Sequence, residues 1–182
     1  MSREELLAAV TRLAQAGEIY TIDVDRIVAE ARSTREEYLH EFSSEDALLE
    51  ALHGYHVSTL VTEVGKVMET LPVGRLRMER TIEAFWAGCI ERIPVRRLIK
   101  RGRGKVTLDA AVQRKNRAFE YLLQPELKAM GDPSPPNTAR LLRAMIEEVA
   151  QAEFEMGERQ PLLRAALWRM LDGEVAAKPQ TV

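Results

Sequence analysis

Apolar residues recur three and four positions apart along almost the whole chain, and no stretch alternates as a half-buried strand must. That pattern restricts the chain to an all-α fold. Local punctuation then divides it. Ser2-Arg3-Glu4-Glu5 has the form of a capping box, in which serine and glutamate each satisfy a free backbone group. Leu6, Val10 and Leu13 line one face of the helix that follows, and Gly17 stops it. Asp23 caps a second helix with Val24, Ile27, Val28 and Ala31 on its inner face. Thr34-Arg35-Glu36-Glu37 repeats the capping box and opens a short third helix to about Phe42. Ser43 or Ser44 caps a fourth, with Glu45 and Asp46 in the turn where the helix dipole favours acids.

The fourth helix is expected to continue to Leu71, because Leu49, Leu52, Leu60, Val64, Val67 and Leu71 keep helical spacing before Pro72 and Gly74. A fifth is expected over 76–93, with Met78, Ile82, Phe85, Cys89 and Ile93 inward and Pro94 as its break. The short basic helix VRRLIKRGRG follows, then a seventh over 107–130. The loop GDPSPP separates an eighth, 137–157, from it. Pro161 suits the first turn of a ninth that ends near Gly173, and the tail EVAAKPQTV reads as frayed.

With 182 residues, the chain is long enough for one large domain or two small ones. Its balance of 46% apolar and 30% charged residues is that of a globular protein rather than a disordered one. A lone cysteine, Cys89, excludes an internal disulfide and suits a reducing cytoplasm, the expected location. Arg3, Glu4 and Glu5 interrupt any apolar run near the start, so no signal peptide is expected. The net charge of -2 conceals an asymmetry. Residues 1–50 hold five arginines and no lysine against twelve acids, a balance of -7. Residues 75–117 hold thirteen Lys and Arg against four acids, a balance of +9. Such a division bears on partners, or on which surfaces face each other.

Three short helices followed by a long fourth, nine in all, resemble the TetR family of transcriptional regulators. The motif-level likeness covers about residues 5–52; beyond it, length and helix order agree. Ile27-Val28 stand where the family has an Ile-Ala pair, and Ala31-Arg32-Ser33-Thr34 where it has an Ala-Gly-Val-Ser turn. Tyr38-Leu39 occupy the family's Leu-Tyr positions, Phe42 stands at its Phe, and SSEDALLEAL matches the opening of helix four. The interval from Ala31 to Phe42 equals the family's, so these are substitutions in register. Three departures stand out. Arg32 replaces the turn glycine, the residue that adopts positive φ at least cost. The Leu-Tyr pair is inverted, which turns Tyr38 inward and Leu39 outward, since neighbouring helical positions point about 100° apart. Glu45 replaces a lysine whose phosphate contact therefore does not carry over.

The resemblance implies a helix-turn-helix headpiece, residues 1–48, and a ligand-binding and dimerisation domain, residues 49–182. It implies a homodimeric repressor of operator DNA, relieved by a small hydrophobic or aromatic effector, with no cofactor. Arg32, Thr34, Arg35, Tyr38 and His40 are the candidates for DNA contact. An effector cavity is expected among helices four, five, seven and eight, from Tyr55, His56, Ile82, Phe85, Trp86, Cys89, Phe119 and Tyr121, with Tyr55, His56 and Tyr121 as its polar groups. Leu142, Met145, Val149, Ala152 and Met156 form a helix-packing seam, matched by Leu163, Ala166, Leu167 and Met170; a dimer through helices eight and nine is expected from it.

Each assignment has a plainer counterpart. Phe85, Trp86 and Phe119 also suit an ordinary core, and the seam also suits packing within one chain. Cys89 lies on an apolar face, as small core cysteines do. His53 and His56 are three apart, but structural zinc takes four ligands and nothing completes the set, so no metal is expected. No His and Asp arrangement supports a nucleophile, so no enzyme is expected. The basic segment Arg92 to Lys105 reads as a solvated surface, as a nucleic-acid contact, or as a partner for the acidic headpiece. The acids of the headpiece favour an alternative class: a TetR-shaped ligand- or protein-binding module without operator binding.

Overall fold

In the computed structural model, residues 2–103 and 109–173 are described; Gly104 and Lys105 of the basic segment, the expected start of the seventh helix and the C-terminal tail lie outside them. The described residues form nine α-helices and no strand: α1 Arg3–Gln15, α2 Val24–Ala31, α3 Arg35–Glu41, α4 Glu45–Glu69, α5 Arg75–Glu91, α6 Ile93–Arg103, α7 Asp109–Ala129, α8 Pro135–Met156 and α9 Pro161–Leu171. The all-α expectation holds. No described helix is long and apolar enough to cross a membrane.

The boundaries differ where prolines act as starters. Pro94 does not merely end α5. It sits in the first turn of α6, where a missing N–H breaks no helical bond. Pro135 likewise opens α8 two residues before the expected start. α4 stops at Glu69 rather than Leu71. Pro125 lies inside α7 without ending it.

The chain divides into two compact units. The first is Met1–Val67 with Glu91–Asp109; the second is Met68–Ile90 with Ala110–Val182. In the first, Leu6, Val10, Ile27, Tyr38, Phe42, Leu48, Leu49 and Leu52 share one core with Val95, Leu98 and Ile99 of α6. Both capping boxes form, at Ser2–Glu5 and Thr34–Glu37, and Ser44 Oγ accepts the Ala47 N–H at 3.1 Å. α6 comes so close to α4 that a Cβ on Gly102 would overlap Leu49 Cδ1 and crowd Glu45 Oε1. The basic segment thus belongs to the same unit as the acidic helices.

The second unit is organised by buried ion pairs. Arg164 and Glu153 clip α9 to α8, and Arg164 also reaches Glu83 of α5 at 2.7 Å. Glu126, 2% exposed, accepts from Arg77 and from the Gly74 N–H at 2.6 Å. The loop after α4 and the start of α5 are thereby held to α7.

Candidate functional site

The turn between α2 and α3 is built on Arg32. Its φ of 55° and ψ of 41° are left-handed, the only positive φ at a described residue other than glycine. The Ser33 N–H donates to the Val28 carbonyl at 2.8 Å and the Arg32 N–H to Ala29 at 3.1 Å, the double closure of a Schellman cap. The backbone takes the form a glycine would favour, at a cost of about 1–2 kcal/mol for a residue with a Cβ. Arg32 also lines a surface groove with Glu5, Ala8, Arg12 and Glu30.

Thr34 uses its hydroxyl on the Glu37 N–H at 3.2 Å, as N-cap of α3. Glu37 in turn accepts from Ser33 Oγ at 2.7 Å and the Thr34 N–H at 3.2 Å, and these bonds hold its carboxyl below the usual range. Arg35 is exposed but bonds Asp25 at 2.9 Å. Tyr38 is 4% exposed, its ring 5.6 Å from that of Phe42, and burial followed by the nearby Glu45 charge raises its pKa. Leu39 stands outward at 58% exposure, so the inversion read from the sequence is realised. His40 is exposed, 3.5 Å from Glu41. The outward face of α3 is therefore Arg35, Glu36, Leu39 and His40.

Three further headpiece arginines, Arg3, Arg12 and Arg26, are also engaged. Arg12 bonds Glu30 at 2.6 Å, Arg26 bonds the carbonyl and carboxylate of Glu18, and Arg3 lies 5.0 Å over the Phe42 ring. Exposed pairs are worth about 0–1 kcal/mol, and each acid competes with a phosphate for its arginine.

The expected effector residues divide between the two units. Tyr55 and His56 belong to the first. His56 Nε2 lies 3.0 Å from Thr11 Oγ1, whose single proton goes to the Leu7 carbonyl at 2.8 Å. With the hydroxyl proton on Leu7, Nε2 carries the imidazole proton; Nδ1 is buried and has no partner among the described residues. Burial, and then the Arg92 charge, push the imidazole pKa down to about 4.

Ile82, Phe85, Trp86, Cys89, Phe119 and Tyr121 belong to the second unit. Trp86 is fully buried; its indole N–H donates to the Ile146 carbonyl at 3.0 Å and Arg164 covers its face at 4.7 Å. Phe85 stacks on Phe119 at 5.4 Å, Ile82 and Cys89 are buried, and Tyr121 is exposed.

Along the expected dimer seam, Leu142, Val149 and Leu167 are buried within the chain itself. Met145 is half-buried, while Met156, Leu163 and Met170 are exposed, with Leu141 and Leu162 beside them. The stripe therefore has an inner edge that builds the core and an outer edge open to a partner.

What sequence reasoning missed is a cleft in the first unit where Arg97 and Arg101 of α6 meet Tyr20 and the chain after Gly17. The four-residue spacing of the two arginines was the available signal. Compared with protein-family models and with curated proteins, the chain matches none.

Proposed function

We propose that the protein is a TetR-like transcriptional regulator, an effector-responsive repressor that binds operator DNA as a homodimer. The observation that carries this reading is the α2–turn–α3 unit. A Schellman cap at Arg32 runs directly into a capping box at Thr34, with both helices closed onto α1 and α4. Such a turn holds a second helix at a fixed angle on a rigid base, which is what reading a groove requires. The open edge of α8 and α9, with Leu141, Met156, Leu162, Leu163 and Met170, supplies apolar surface for the dimer.

A second reading is favoured by the outer face of α3. It offers Glu36 and Leu39 with one arginine already paired to Asp25. On this reading the headpiece is a ligand- or protein-binding module without operator affinity. One experiment separates the two: fluorescence anisotropy with the duplex upstream of the gene, at two salt concentrations, on protein shown by light scattering to be dimeric. Saturable binding to that duplex, tighter than to scrambled DNA, supports the repressor. A folded dimer that binds no duplex at low salt supports the module, and a monomer at micromolar concentration excludes the dimer.

A further inference from the structure

The cleft between the α1–α2 connection and α6 has a chemistry of its own. It encloses about 200 Å³, with Ala14, Ile19, Tyr20, Arg97, Leu98 and Arg101 in its lining. Ala14, Ile19 and Leu98 are buried and give it an apolar floor. Tyr20, 64% exposed, stands as an aromatic wall with the Arg101 guanidinium 5.7 Å from its ring centre. Arg101 also reaches the Tyr20 carbonyl at 3.4 Å.

Among the described residues, the lining contains two guanidinium groups and no carboxylate. This differs from Arg12, Arg26 and Arg35, each of which meets an acid. Arg97 and Arg101 are four residues apart, on one face of α6, so their charges repel. An anion between them removes that repulsion and accepts from two planar forks, the geometry that suits a carboxylate. The floor asks for something a bare inorganic anion lacks, an apolar body. The volume falls below the ~300–1,000 Å³ of drug-sized sites, which limits the occupant to a small molecule.

We propose that this cleft binds a small organic monocarboxylate, preferentially an aromatic one, with Arg97 and Arg101 on the carboxylate and Tyr20 against the ring. The site lies wholly within the first unit and shares no residue with the expected effector set. Its occupancy ties α6 to the turn after α1.

Benzoate is the test ligand, with benzamide and inorganic phosphate as comparisons, titrated into the isotopically labelled full chain without DNA. Amide shifts of Gly17, Ile19 and Tyr20 report the location. Benzoate is expected to move these signals saturably, with benzamide and phosphate each at least about tenfold weaker. Arg97→Gln with Arg101→Gln is expected to weaken benzoate at least about tenfold while the amide spectrum elsewhere stays that of the folded chain. Should that variant lose its fold, Tyr20→Ala, at an exposed position, is expected to weaken benzoate several-fold and serves instead. The proposal is overturned by no shift up to about 10 mM benzoate, by unchanged affinity in a folded variant, or by phosphate binding as well as benzoate does.

Discussion

Arg164 donates to both carboxylate oxygens of Glu153, at 2.6 and 2.8 Å, with the two residues 4% and 1% exposed. The pair is fully engaged, because Glu153 also accepts the Gln160 N–H at 2.9 Å and Arg164 also meets Glu83 and the Trp86 face. Burying two charges is expensive, so such a pair specifies an arrangement more than it stabilises one. Arg164→Met should cost about 3–5 kcal/mol, since it strands a buried carboxylate. Adding Glu153→Leu to Arg164→Met should recover part of that loss. Urea denaturation of both single variants and the double tests this; simple additivity would show that the pair is not coupled.

Arg32→Gly should stabilise the protein. The left-handed backbone costs an arginine about 1–2 kcal/mol, while glycine loses about 0.5–1 kcal/mol more chain entropy on folding. The net expectation is a gain of roughly 0.5–1 kcal/mol, read as a higher urea midpoint at unchanged m-value. Arg32→Val should do the opposite, because a β-branched residue is worse still in that region.

Gly102→Ala tests the close approach of α6 to α4. Helix propensity alone would make alanine better by about 1 kcal/mol. The new methyl group, however, would occupy the place of Leu49 Cδ1 in a core position with 0% exposure. Overpacking of that kind costs about 1–3 kcal/mol, so a lower melting temperature is expected. A rise would mean that α6 moves freely away from Leu49.

His56 should make stability depend on pH. Its folded pKa, about 4, lies below the ordinary 6.5, so the unfolded chain takes up the proton first. Stability is therefore complete above about pH 6.5 and declines as pH falls toward 4, by roughly 1–3 kcal/mol for this buried group. Glu5 and Glu37, whose carboxyls are held low by their capping boxes, lose their contributions at lower pH, below the ordinary 4.5. Urea titrations between pH 7 and 4 should show the decline in the native chain and a much shallower one in His56→Gln.

Any operator affinity should fall only shallowly with salt, because few arginines of the headpiece are available to release counterions. Glu36→Gln removes an exposed acid from the outer face of α3 and should strengthen binding by a few-fold. A steep salt slope in the native chain would show that the paired arginines exchange their acids for phosphates.

The helices and the starts that carry a capping signal were legible in the sequence because helix formation is local. Ser2–Glu5 and Thr34–Glu37 act over three residues, and Leu6, Val10 and Leu13 state their periodicity within one element. The inversion of Tyr38 and Leu39 could be read for the same reason: it is a matter of angle along one helix. Pro94 and Pro135 were legible as interruptions but not as starters, since a proline signals both.

Long-range pairing was not legible. Arg12–Glu30, Arg35–Asp25 and Arg164–Glu83 each join two different helices, and a net charge for a segment does not say which of its charges are already neutralised. Nor does apolar spacing distinguish the inner edge of a seam, Leu142 and Val149, from the outer edge, Met156 and Leu163. Likewise, Trp86 reads as a pocket wall or as core until its N–H is seen on Ile146 and its face under Arg164. The sequence by itself determined the helices, since the bonds that make them close within four residues. Only the tertiary structure decided which charges and apolar faces remain free, since that depends on what each helix meets when the chain comes together.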